Sequence, residues 1–199
     1  MSETPRIEVT VAAPVETVWE ALRDKEKIRH WHGWETDGLD EEIDLIYFAH
    51  AHEDGHTLSL KEGGGDTFEL TEVPEGTRVV LTRAARGVLP EWDEYYDDIT
   101  EGWITFLHQL KFALERHPGE ARRTLFYGGP GKVPFSVDGE TWFRSENQHG
   151  VVVPSWGDGL LVTGYNPARD QSMAVFTTYG LSDAELESIA AKYGLTLTP

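Results

Sequence analysis

With eight histidines and no cysteine, imidazole is the main metal-ligating group available to this chain. His50-Ala51-His52 has the spacing that puts both rings on one face of a strand, and His56 follows a turn later, with Glu53 and Asp54 between. Two imidazoles and a carboxylate are the parts of a zinc or nickel site. The spacing fixes no third ligand, so these side chains are read as polar-face or rim histidines, and no metal is expected. His30 and His32 flank Trp31 near the end of a short helix, where they do not share a face. Ser145 and Ser155 lie near His149, but no spacing rule joins them into a nucleophilic triad, and they read as turn and strand residues. Glu69, Thr71, His50, His52, His108 and Tyr47 are the polar groups that could project into an apolar interior. His108 lies about 140° round its helix from Trp103 and so faces the other way. None of these residues pairs an acid with a base. No catalytic residue is assigned, no cofactor is expected, and an enzyme is not the leading reading.

The familiar nucleotide and hydrolase motifs are also missing. Gly63-Gly64-Gly65-Asp66 and Gly128-Gly129-Pro130-Gly131 are glycine-rich, yet they lack the strand-to-helix setting and the lysine of a phosphate cradle. A net charge of −18 argues against nucleic acid, whose binding rests on neutralising phosphates, and against anionic membrane surfaces. Acid-only clusters at Glu35–Asp44 and Glu91–Glu101 carry much of the charge and read as solvated faces. No apolar run is long enough for a membrane span, and the first residues have no basic and then apolar leader pattern. A cytoplasmic protein is expected, and 39% hydrophobic residues with seven tryptophans can supply a sizeable core.

The elements that would position these groups can be read from periodicity. Arg6–Val11 alternates as a strand, and Pro14 opens a helix carrying Val18 and Leu22. Asp24 caps a second short helix with Ile28 and Trp31. Ile43–His52 alternates Ile43, Leu45 and Tyr47 against Ile46 and Phe48 and reads as a strand. Thr57–Lys61, Thr67–Val73 and Thr77–Ala84 continue an antiparallel meander. Ile99–His117 is a long amphipathic helix, with Trp103, Phe106, Leu107, Leu110 and Leu114 on one face and Phe112 opposite. After Pro118-Gly119 come strand-like runs at Arg123–Tyr127, Thr141–Arg144, Gly150–Val153, Leu160–Tyr165 and Met173–Tyr179, with GGPGKVP as a linker. A final helix starts at Ser182, with Glu185 completing a capping box.

VTVAAPVETVWEALRD, FELTEVPEGTRVVLTRA and EGWITFLHQLKFALE, in that order, resemble the START-like (SRPBCC) superfamily over about residues 5–117. Within it, the chain is most similar to the heat-shock ATPase activator homologue family. The resemblance implies an α+β helix-grip fold in residues 1–118: a curved antiparallel sheet around a long C-terminal helix, with an apolar cavity between them. Residues 119–199 would be an α+β extension packed on that domain. The cavity would be lined by Trp103, Phe106, Leu110 and Leu114, with Tyr47 in register on the meander and Trp31 and Trp34 at its entrance. The function implied is binding of a small apolar molecule (lipid, polyketide or aromatic metabolite) as carrier or sensor. A co-chaperone-like module with a chaperone partner is the alternative, and a cyclase acting on an apolar substrate the second.

Overall fold

The computed structural model describes residues 4–61, 65–195 and 197. Gly63 and Gly64 of the GGGD break, and Met1–Glu3 of the stretch read as leaderless, lie outside the described residues. The chain gathers into two compact units. The first runs to Gly33 and resumes over Gly38–Gly119; the second is Trp34–Asp37 with the chain from Glu120 onward.

The first unit holds a five-stranded antiparallel sheet. Its strands are β1 (Arg6–Val11), β2 (His52–Asp54), β3 (Thr57–Ser59), β4 (Thr67–Val73) and β5 (Gly76–Thr82), in the order β1-β5-β4-β3-β2. Gly76 makes the β4–β5 hairpin possible: its φ is +134°, and a Cβ there would lie 2.1 Å from the Val11 carbonyl oxygen. Three short helices, α1 (Val15–Arg23), α2 (Lys25–Arg29) and α3 (Leu39–Tyr47), join β1 to β2, and the long α4 (Tyr96–Arg116) follows β5. The Asp24 carboxylate caps α2 by accepting from the Glu26 and Lys27 amides. The apolar stripe of α4 packs with Val9, Val11, Val18, Leu22, Leu58, Phe68, Val79 and Leu81 in one buried cluster. At its C-terminal end the helix is pinned to the first strand, because Glu115 accepts from the Ala12 amide at 2.8 Å. At its other end Arg83 Nε donates to both carboxylate oxygens of Asp66, at 2.9 and 3.0 Å, and the Arg83 guanidinium also donates to the Tyr96 carbonyl.

The second unit holds another five-stranded antiparallel sheet. It comprises β6 (Arg122–Pro130), β7 (Glu140–Arg144), β8 (Gln148–Val153), β9 (Gly159–Asn166) and β10 (Gln171–Tyr179), in the order β6-β10-β9-β8-β7. α5 (Asp183–Tyr193) covers one face of this sheet with Leu186 and Ala190, against Leu125, Val151, Leu161 and Phe176. Ser182 and Glu185 form the capping box that starts α5. Residues 34–37 join this unit through a reciprocal pair: the Glu35 amide donates to Thr124 Oγ1, and the Thr124 amide donates to Glu35 Oε2.

The expected fold is therefore corrected. A single sheet gripping a C-terminal helix is not what forms: there are two five-stranded antiparallel sheets, and the long helix lies mid-chain, between them in sequence. The START-like, helix-grip reading fails on this count. Ile43–His52 is also not a strand. Its first part is helical, because Ile43, Ile46 and Tyr47 follow the i, i+3, i+4 spacing and three carboxylates, Asp40, Glu41 and Glu42, favour the N-terminal turn. His50 and His52 consequently do not share a strand, since β2 begins only at His52. The GGPGKVP linker is shorter than expected, because β6 runs on through Gly128, Gly129 and Pro130.

Candidate ligand-binding site

His32 is the polar centre of the first unit. It lies just beyond α2, and its amide donates to the Ile28 carbonyl at 2.8 Å, a last helical turn that carries the ring inward. Gln109 of α4 fixes the same stretch, its Nε2 donating to the carbonyls of Trp31 (2.7 Å) and Gly33 (3.0 Å). The indole of Trp31 donates to the Ala21 carbonyl at 2.8 Å. With its backbone held on both sides, His32 has a relative exposure of 0%.

The ring contacts at His32 define the site. Phe106 lies 4.7 Å from it, Tyr47 5.3 Å, Trp31 5.9 Å and Trp103 6.1 Å, between centroids. Most of these contacts are edge-to-face, the arrangement that aromatic quadrupoles favour. Inside this shell His32 Nδ1 meets the Tyr47 hydroxyl at 2.9 Å, and Nε2 meets Glu42 Oε1 at 2.9 Å. A carboxylate only accepts, so Nε2 carries the proton in that contact; a neutral ring then accepts the Tyr47 O–H at Nδ1. The result is a hydrogen-bond chain from a buried hydroxyl, through an imidazole, to a carboxylate that is exposed on α3. The His32 bond holds the Glu42 carboxyl below its ordinary value, against the opposing effect of burial. Burial pushes the Tyr47 hydroxyl well above the ordinary tyrosine value, and the Glu42 charge adds to that.

A second polar chain reaches the same shell. The Trp103 indole donates to Asp66 Oδ2 at 2.8 Å, and Asp66 is the partner of Arg83. Trp103 thus touches the His32 cluster with its ring while its nitrogen is tied to a buried ion pair.

Of the residues proposed from sequence, Trp31, Tyr47, Trp103 and Phe106 come together around His32. Leu110 is fully buried one turn along α4 from Phe106, and Leu114 packs at the edge of the same core, partly buried. Trp34 belongs to the second unit, where it stacks on Phe126 at 4.1 Å with the planes 11° apart. Two residues of the cluster were missed, His32 at its hub and Glu42, the carboxylate that ends its hydrogen-bond chain. The signal for Glu42 lay in the helical spacing of α3, which places it one turn before Ile46. The histidines weighed for metal scatter: His56 bonds Glu16 at 3.0 Å and meets the edge of Trp19. Among the described residues no group of three His, Asp or Glu is placed to hold a metal ion.

The second unit contributes an open groove of about 500 Å³ between α5 and the loop before β9. Val153, Trp156, Ile189 and Tyr193 form its apolar wall, and Asp138 and Lys192 lie on its polar rim. Ser155 sits in this groove, whereas His149 bonds Thr141 and Arg144, so the two do not form a nucleophilic pair.

No protein-family model matches this sequence, and no curated protein matches it. Solved structures that resemble it include the protein SSP2350 from Staphylococcus saprophyticus, with 27% identity, 56% of this chain and 90% of that one covered, and a TM-score of 0.41. DynU16, a protein in the dynemicin biosynthetic locus, matches over 95% of this chain and 93% of its own, at 16% identity and a TM-score of 0.37. The di-domain ARO/CYC BexL from the BE-7585A biosynthetic pathway covers 96% of this chain and 93% of its own, at 11% identity and a TM-score of 0.32. The START-like and activator-homologue naming finds no support among these.

Proposed function

We propose that the first unit binds a small apolar, ring-bearing molecule at the His32 centre, as a carrier or sensor. One observation carries this reading: a fully buried histidine, bonded at both ring nitrogens, sits inside four aromatic side chains. An interior built only for stability is better served by apolar packing, because every buried polar group must find its partners. Here the polar chain places in an otherwise apolar shell a tyrosine hydroxyl that donates to His32 and keeps a lone pair able to accept from one polar group of a ligand. Apolar burial would supply most of the affinity. Phe106 and Ile46 are partly exposed and Glu42 is exposed, so the approach lies between α3 and α4.

The neutral dye N-phenyl-1-naphthylamine tests this reading. Its fluorescence is expected to rise on binding to the wild-type protein, and Phe106→Asp, which puts a carboxylate at the approach, is expected to weaken binding at least tenfold. Equal binding by that variant, with an unchanged melting temperature, would remove the His32 centre as the site.

The hydrogen-bond chain favours a second reading, in which the protein catalyses a proton shift in an apolar substrate. In that step the Tyr47 hydroxyl turns from His32 Nδ1 to the ketone oxygen, the freed Nδ1 takes the α-proton while Nε2 passes its own to Glu42, and the Tyr47 O–H stabilises the enolate oxygen. His32→Gln would then abolish hydrogen–deuterium exchange of an aromatic ketone at its α-carbon. No protein-accelerated exchange in the wild type would dismiss this reading while leaving ligand binding intact.

A further inference from the structure

Among the described residues, the exposed large hydrophobic side chains are Leu45, Val88, Trp92 and Tyr95, and three of these fall between positions 88 and 95. Trp92 is 53% exposed. Single exposed apolar residues need no explanation, but a tryptophan, a tyrosine and a valine on one short segment are the composition of an interface core.

The segment is held in place. Leu89 leads into a 3-10 turn at Pro90–Tyr95, and the Trp92 amide donates to the Leu89 carbonyl at 2.9 Å. Asp93 closes the loop from the other side: its Oδ1 accepts from the Gly87 amide at 3.0 Å, and its carbonyl accepts from Arg86 at 3.2 Å. Below the turn, the guanidinium groups of Arg83 and Arg86 lie 4.4 and 4.3 Å from the centre of the Tyr96 ring, and Arg86 pairs with Asp97. The Tyr96 hydroxyl donates to the Ala84 carbonyl at 2.6 Å. A loop tied at both ends therefore presents Trp92 outward, and little ordering is left for a partner to impose.

Charge determines what that partner is. Glu91, Asp93, Glu94, Asp97, Asp98 and Glu101 lie among and just after the apolar residues in sequence, and Arg86 is the one basic residue between positions 86 and 101. A second copy would bring the same carboxylates face to face in a chain already at −18. We propose that Val88, Trp92 and Tyr95 form a docking surface for a cationic protein segment that carries apolar side chains on one face. This surface is separate from the His32 centre and does not depend on ligand binding there.

The test uses the full chain and two labelled peptides of equal charge, an amphipathic lysine/leucine helix and a lysine/serine peptide, read by fluorescence anisotropy. The lysine/leucine peptide is expected to bind and to weaken as salt rises from about 0.05 to 0.3 M. Trp92→Ala and Val88→Ser are expected to weaken it, the former about tenfold, whereas Leu45→Ala leaves it unchanged. Glu91→Gln with Glu94→Gln should weaken it severalfold at low salt and less at high salt. The proposal is overturned if Trp92→Ala binds like wild type, if the lysine/serine peptide binds equally well, or if neither peptide binds. It is also overturned if sedimentation reveals a dimer that Trp92→Ala abolishes, because the occupant would then be a second copy.

Discussion

Tyr47, fully buried, and His108, partly buried, show how differently two polar side chains on helices are treated. Tyr47 keeps its hydroxyl in the chain to His32 and Glu42, so Tyr47→Phe preserves the packing and removes one buried hydrogen bond. That change is expected to cost about 1–2 kcal/mol in urea denaturation, and a variant as stable as wild type would show the bond to be incidental. His108, on α4, is pushed down to about 4, chiefly by burial and then by the nearby Lys111 charge. Its folded value lies below the ordinary value near 6.5, so the unfolded chain takes up the proton first as pH falls. The stability held by the neutral ring is complete above about pH 6.5 and is lost progressively towards pH 4. The full span corresponds to about 3 kcal/mol. His108→Gln should flatten that part of the stability–pH curve, and an unchanged slope would refute the assignment. Glu42 runs the same way at lower pH: its depressed folded value means that its contribution fades only as the solution becomes acidic enough to protonate it. Being exposed, it should matter little to stability compared with its role in the chain.

At the scale of elements, the buried Asp66–Arg83 pair joins the lead into β4, the end of β5 and the first turn of α4. Removing one partner leaves the other charge buried, and Asp66→Ala is expected to cost about 3–5 kcal/mol by urea denaturation. Trp103 loses its indole partner in the same variant, so its fluorescence should shift with the stability loss. The strong elements were legible because their patterns are unambiguous: α4 through its long stripe, α5 through the Ser182–Glu185 box, and the β4–β5 hairpin through the adjoining runs Thr67–Val73 and Thr77–Ala84. α3 was not. Ile43, Leu45 and Tyr47 mimic an alternating strand, and the structure shows which spacing prevails: Ile43 and Tyr47 are buried while Leu45 is 63% exposed. Gly38 at the N-cap and three acids in the first turn were the helix signals that should have outweighed the alternation. The second sheet was visible only as separate strands, because the pairing of β6 with β10 joins residues some fifty positions apart and no local pattern encodes it.

For the whole molecule, the excess of 35 acids over 17 bases repels itself in the compact state. Raising salt from about 0.05 to 0.5 M should raise the melting temperature by a few degrees, and a fall would mean that favourable ion pairs prevail. No helix of the described residues is long and apolar enough to cross a membrane. The aromatic residues of the His32 centre were legible as a group, since Trp103 and Phe106 share a helix face and Trp31 anchors another. Their hub was not, because His32 is buried through the turn after α2 and the reach of Gln109, neither of which has a sequence period. Trp34 left the group because Glu35 and Thr124 exchange hydrogen bonds across 89 positions. The central claim is that a ring-bearing apolar molecule sits against these side chains, and the indole N–H signals of the seven tryptophans report on it most directly. Titration with N-phenyl-1-naphthylamine is predicted to move the Trp31 and Trp103 signals in nitrogen-edited NMR spectra and to leave Trp142 and Trp156 in place. Movement of Trp156 with Trp31 and Trp103 unmoved would put the ligand in the groove of the second unit and contradict the account.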